Sequence, residues 1–80
     1  MSERATDTLH FVARQLVDHP DDVRIDVSSD DRGTTLHLMV HPDDVGKVIG
    51  RHGRTAKALR TLIRAAGSLD DDNVNVEIED

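Results

Sequence analysis

The sequence predicts an α+β domain of two layers, in which three helices cover one side of a three-stranded sheet in the chain order α-β-β-α-α-β. Three observations lead there. Apolar residues recur at helical spacing near the N-terminus, three later runs alternate with period 2, and two further helical stretches are divided by Gly50 and Gly53. A chain of 80 residues gives room for one domain, residues 1–80, and at this size only about 60% of the unfolded surface is buried.

The first helix carries Leu9, Val12, Ala13, Leu16 and Val17 on one stripe. It is expected to stop before Pro20, because the residue ahead of a proline is pushed out of the α region and proline cannot donate the next hydrogen bond. Val23, Ile25 and Val27 then share one face of a strand, and Leu36, Leu38 and Val40 share one face of the next. The polar stretch Ser29-Asp30-Asp31-Arg32-Gly33 between them is short enough to make an antiparallel hairpin. His41-Pro42-Asp43-Asp44 reads as a helix start, since proline suits the first helical position and carboxylates suit the positive end of the dipole. That helix should reach about Ile49. After the glycines a third helix runs from Arg54 to Ala66 with Ala56, Leu59, Leu62, Ile63 and Ala66 on one side, and Gly67 is placed to end it. The stretch 73–79 alternates throughout, which predicts a last strand with Val74, Val76 and Ile78 turned inward.

Composition narrows the function classes. There is no cysteine, so neither a disulfide framework nor a Cys-based zinc site is available. No run approaches the roughly 20 apolar residues of a membrane span. Met1-Ser2-Glu3-Arg4 lacks the basic-then-apolar layout of a signal peptide, so a soluble, cytoplasmic protein is expected. The formal net charge of -6 argues against an anionic partner until its distribution is read. Between Gly46 and Ala66 stand Lys47, Arg51, Arg54, Lys57, Arg60 and Arg64 with no carboxylate, so a +6 island sits in a -12 remainder. Such asymmetry concentrates an anion at one place and repels it elsewhere. Phe11 is the sole aromatic residue, which excludes the base-stacking platforms of RRM and OB modules. No Ser/His/Asp, Cys/His or paired-carboxylate arrangement is present, and nothing in the pattern asks for a cofactor, so catalysis is not expected.

The informative stretch is Gly46-Lys47-Val48-Ile49-Gly50-Arg51-His52-Gly53-Arg54-Thr55. Two glycines around two residues allow a sharp turn with no Cβ in the way, so a phosphate can approach main-chain N–H groups. A helix starts directly afterwards and offers its unpaired donors and positive end to the same anion. Arg54, Lys57, Arg60 and Arg64 share an arc of about 120°, opposite the apolar stripe, while Lys47 and Arg51 stand at the mouth. One of Val48 and Ile49 can face the core while the other floors a groove. A bare Gly-x-x-Gly is weak on its own; the bland alternative is a glycine-rich helix-helix turn with solvated cations.

Val48-Ile49-Gly50-Arg51-His52-Gly53-Arg54-Thr55, followed by Ala58-Leu59-Arg60, resembles the signature of KH domains, and in particular the small bacterial single-KH RNA-binding proteins of the KhpA type. Leu16-Val17-Asp18-His19-Pro20-Asp21-Asp22-Val23 resembles that family's first helix and the approach to its first strand, so the likeness covers nearly the whole chain. It implies a type II KH fold whose mixed sheet has the last strand parallel to the second. It further implies an RNA-binding role as a post-transcriptional factor or RNA chaperone, with the loop clamping the backbone of single-stranded RNA. The residues expected to contact RNA are Lys47, Ile49, Gly50, Arg51, His52, Gly53, Arg54, Lys57 and Arg60. Pairing with a second copy, or with a larger KH-domain protein, is implied as well. His52 puts a titratable ring in the loop instead of a fixed charge or an amide, which leaves the pH behaviour of binding open between a protonated ring that tightens phosphate contact and a neutral loop histidine. The competing function is a protein-interaction module whose basic helix docks on an acidic partner or a ribosomal surface.

Other residues have plainer readings. His-Pro-Asp-Asp-Val occurs at 19–23 and at 41–45, and two copies of five residues make turns or caps rather than a repeat architecture. A metal site from His19, His41 and their aspartates is the less common use of such residues. His10, His37 and His41 have no companion spacing that suggests a metal. Phe11 lies off the stripe of the first helix and marks either a partner surface or the edge of the core. Asp70-Asp71-Asp72 reads as a solvated loop.

Overall fold

In the structure, a computed structural model that describes residues 2–79, the chain forms helix α1 (Glu3–Leu16), strands β1 (Arg24–Asp30) and β2 (Gly33–Met39), helices α2 (Val45–Ile49) and α3 (Arg54–Ser68), and strand β3 (Val74–Ile78). Strand order is β1-β2-β3, with β1 antiparallel and β3 parallel to β2. Both expectations for the sheet hold: the first two strands form the hairpin and the last lies parallel to the second. The turn is tighter than the polar stretch suggested, because Asp30 already pairs with Gly33 and only Asp31 and Arg32 remain in the loop. The Asp30 carboxylate accepts the Arg32 N–H at 2.7 Å and closes it.

One face of the sheet meets α1 and α3. Leu9, Leu36, Leu38, Val48, Ile63 and Val74 are all within 1% of complete burial there, each leucine or isoleucine contributing about 1.5–3 kcal/mol. The α1 stripe is Ala5, Leu9 and Ala13 rather than the longer set expected, with Val12 and Val17 at its margin and Leu16 exposed where the helix ends. Ser2 caps α1 by accepting the Ala5 N–H, and its hydroxyl donates to Asp70.

Four expectations are corrected by packing. Val27 is exposed because β1 is an edge strand whose far end no helix covers, and Val23 is buried just ahead of the strand. Leu62 is exposed because the buried side of α3 is centred on Ala56, Leu59, Ile63, Ala66 and Gly67. Gly67 does not end α3. It is buried inside the helix, where a Cβ would lie 2.5 Å from Val74 Cγ2, so it is a close-approach residue between α3 and β3. Nor is the Asp70-Asp71-Asp72 segment merely solvated. Asp70 holds Ser2 and meets Arg4 at 3.6 Å, while Asp72 accepts from the buried Thr34 hydroxyl at 3.2 Å.

The two His-Pro-Asp-Asp segments each fold as a single 3-10 turn, Pro20–Asp22 and Pro42–Asp44, so the turn reading of the repeat holds. They are also packed together. The His19 and His41 rings stack with centroids 3.9 Å apart, and the buried Asp44 accepts the His19 N–H at 2.9 Å while its same oxygen meets His19 Nδ1 at 3.0 Å. This clamp ties the approach to β1 to the start of α2, and so sets where the following loop stands.

Candidate nucleic-acid interface

The loop Gly50-Arg51-His52-Gly53 joins α2 to α3 through one 3-10 turn. Gly50 has φ 76° and ψ 171°, a region essentially closed to residues with a side chain. A Cβ there would also lie 2.2 Å from Thr55 Oγ1 and 2.9 Å from Thr55 N. His52 and Gly53 follow in the left-handed region, at φ 58° and φ 72°, and nothing stands within 4 Å of a Cβ built on Gly53. Gly50 is therefore required for closure of the loop onto α3, whereas Gly53 is required for its backbone conformation alone.

Three loop amides are already used: Gly50 N–H donates to Gly46 O, Gly53 N–H to Gly50 O and Arg54 N–H to Arg51 O. Among the described residues no backbone acceptor meets the N–H of Arg51 or His52. These two stand beside the start of α3, which has no side-chain cap and no acidic residue in its first turn. Arg54 and Lys57 occupy that turn instead. Cations at the positive end of a helix cost about 0.3–1 kcal/mol each in an exposed setting, so this stretch is suited to an external anion and not to its own stability.

The remaining expected residues are brought to the same region with different freedom. Arg51, Arg54, Lys57 and Arg64 are exposed and meet no carboxylate within ion-pair distance among the described residues. Lys47, in contrast, reaches Asp18 at 3.3 Å. Arg60 leans across to β3 and donates from Nε to Val76 O at 3.3 Å, leaving its other guanidinium N–H groups available. Val48 is the member of its pair that faces the core, and Ile49 is half-buried beside the loop. What the sequence did not reveal is the wall opposite the basic helix. β3 is an edge strand, and because Asn73 O and Glu79 N bond toward β2, the backbone groups of Val74, Val76 and Ile78 point outward. No side-chain pattern marks which edge is left free.

The family model described as KhpA/KhpB, KH domain, matches residues 6–78. The RNA-binding protein KhpA of Mycobacterium tuberculosis is 54% identical over 67 residues, covering 84% of this chain and 84% of the relative. The RNA-binding protein KhpA of Halalkalibacterium halodurans is 51% identical over 72 residues, covering 90% and 95%. A crystal structure of Aquifex aeolicus Era superposes with TM-score 0.60 over 92% of this chain at 18% identity, and the chain spans 29% of that longer protein; that likeness shows the fold alone.

Proposed function

The chain belongs to the KhpA/KhpB KH-domain family, and on that premise we propose that it is an RNA-binding protein, one domain that grips single-stranded RNA by its backbone and acts after transcription as a regulator or RNA chaperone. The observation that carries the reading is the start of α3: uncapped, free of acids, loaded with cations, and preceded by the two unbonded amides of Arg51 and His52. A phosphate placed there completes the helix cap, while Arg51, Arg54 and Lys57 neutralise its neighbours along the strand. Ile49 and the exposed edge of β3 supply an apolar and hydrogen-bonding surface for bases next to it. The family is one of RNA-binding modules and not of enzymes. No helix among the described residues is long and apolar enough to cross a membrane, which is compatible with a cytoplasmic role.

The test is fluorescence anisotropy with a labelled, unstructured oligoribonucleotide. Affinity for one module should be roughly micromolar, with log K falling against log salt by about 0.7 per phosphate neutralised. Gly53→Asp adds a carboxylate at the anion position in a conformation that aspartate tolerates, so it should abolish binding while leaving the circular dichroism spectrum in place. Unchanged affinity in a folded Gly53→Asp protein refutes the mechanism.

A pairing role is supported separately. Phe11 on α1 is 66% exposed and Leu62 on α3 is 43% exposed, and both lie on helices that pack against each other. Large apolar side chains left outside a core of this size suit contact with a second KH domain, from another copy or a larger protein.

A further inference from the structure

The sheet face turned away from the helices carries a second constellation. Side chains alternate along a strand, so His37 of β2 and Glu77 of β3 project opposite to the buried Leu36, Leu38 and Val76, and Glu79, the residue after β3 and still bonded to β2 through its N–H, reaches the same His37 ring. The parallel register sets His37 directly beside Glu77. His37 Nδ1 lies 3.0 Å from Glu79 Oε1 and 3.7 Å from Glu77 Oε2, and one donor atom from each of the three residues lies within 4.8 Å of the other two. Behind the ring, Ser28 Oγ of β1 stands 3.3 Å from Nε2. Asp26 occupies the cross-strand position on the other side of His37. No lysine or arginine pairs with Glu77 or Glu79 among the described residues.

We propose that His37, Glu77 and Glu79 form a binding site for a divalent cation of the zinc type, using His37 Nδ1 and one oxygen of each carboxylate, with water in the remaining positions. Two carboxylates aimed at one point repel each other unless a positive group stands between them, and Asp26 deepens the negative field. One imidazole nitrogen with two carboxylate oxygens is a donor set for Zn²⁺, Co²⁺ or Ni²⁺, whereas Mg²⁺ and Ca²⁺ favour oxygen donors alone. Ser28 completes the arrangement. When Nδ1 takes the metal, Nε2 keeps the proton and donates it to the serine oxygen, which fixes tautomer and ring orientation as an outer partner does in known sites. The same hydroxyl can instead donate to Nε2 when Nδ1 carries the proton, so the site is satisfied in both states. A bound cation here would staple β2 to β3 on the face opposite the basic helix, without occupying the loop.

The test is a titration of tag-free protein with ZnCl2, followed by calorimetry and by NMR of the imidazole nitrogens. One saturable equivalent is expected, with the His37 ring signals moving while those of His19 and His41 stay, and with a thermal midpoint that rises with Zn²⁺ concentration. His37→Gln and Glu79→Gln should each remove the binding, and Ser28→Ala should weaken it by about tenfold. A large excess of Mg²⁺ should not displace the ion. Absence of saturable uptake, uptake that survives His37→Gln, or a response centred on His19 and His41 would each overturn the proposal. Should His37→Gln fail to fold, Glu79→Gln together with the ring signals of the unaltered protein decides the question.

Discussion

Replacing Gly50 with alanine should damage the protein far more than the same change at Gly53, although both glycines belong to one short motif. At Gly50 the cost has two parts. The backbone pair φ 76°, ψ 171° is worth about 1–3 kcal/mol against any residue with a Cβ. That Cβ would also lie 2.7 Å from Thr55 Cβ and 2.9 Å from Thr55 N, and moving the first turn of α3 to relieve it costs about 1–3 kcal/mol more, the usual range for overpacking. At Gly53 only the left-handed conformation opposes alanine, about 1–2 kcal/mol, since the added methyl meets nothing within 4 Å. In a domain of this size each kcal/mol moves the melting midpoint by about 4–8 °C. The Gly53→Ala protein should thus melt several degrees below the unaltered chain, and Gly50→Ala at least twice as far below. With no tryptophan or tyrosine, far-UV circular dichroism is the natural assay. If Gly53→Ala proves equal to or worse than Gly50→Ala, the claim that Gly50 is held against Thr55 is wrong.

Further expectations follow from other parts of the molecule. The hydrogen bond to Asp44 raises the His19 pKa above 6.5, against a smaller opposing effect of burial. Burial pushes the Asp44 carboxyl up, but the hydrogen bonds from the His19 ring and from the amides of His19 and Asp18 outweigh it and bring the net value below 3.8. The His19 contribution is full below about pH 6.5 and is lost as pH rises through its raised value; the Asp44 contribution is full above about pH 3.8 and is lost as pH falls through its lowered value. The melting difference between the unaltered protein and His19→Gln should therefore be widest from about pH 4 to 6.5 and shrink toward pH 8.5, and a difference that grows across that upper range refutes the linkage. Gly67→Ala should destabilise the chain in urea unfolding even though alanine favours a helix by about 1 kcal/mol over glycine, because its methyl would meet Val74 and the Asp72 carbonyl at 2.5 and 2.9 Å; a stabilised variant would refute the close approach between α3 and β3. Phe11→Ser should lower the mass measured by light scattering to that of a monomer while leaving RNA affinity per chain in place, and an unchanged mass removes Phe11 from any pairing surface.

Local signals were read where local forces decide. The helix stripes, the alternation of the three strands, the Gly-x-x-Gly loop and its acid-free flank are all expressed within a few residues of one another, because period and charge along the chain are properties of neighbours. Those signals carried the element order and the residues around the loop. They misjudged Leu62 and Val27, which lie outside the core of this chain because the buried side of α3 is centred on Ala56, Leu59, Ile63, Ala66 and Gly67 and β1 is an edge.

The chain by itself thus determined that a basic, glycine-hinged turn opens a helix over an aliphatic core, since each of those properties is written in consecutive residues. Tertiary structure alone decided that Asp44 holds His19 across 25 positions, that the Asp70 to Asp72 segment ties down Ser2 and Thr34, and that His37 meets Glu79 across 42. The physical reason is the same in each case. Which polar groups become neighbours depends on strand register and on how helices pack, and these are settled by burial of the whole core and not by the sequence distance between the residues that meet.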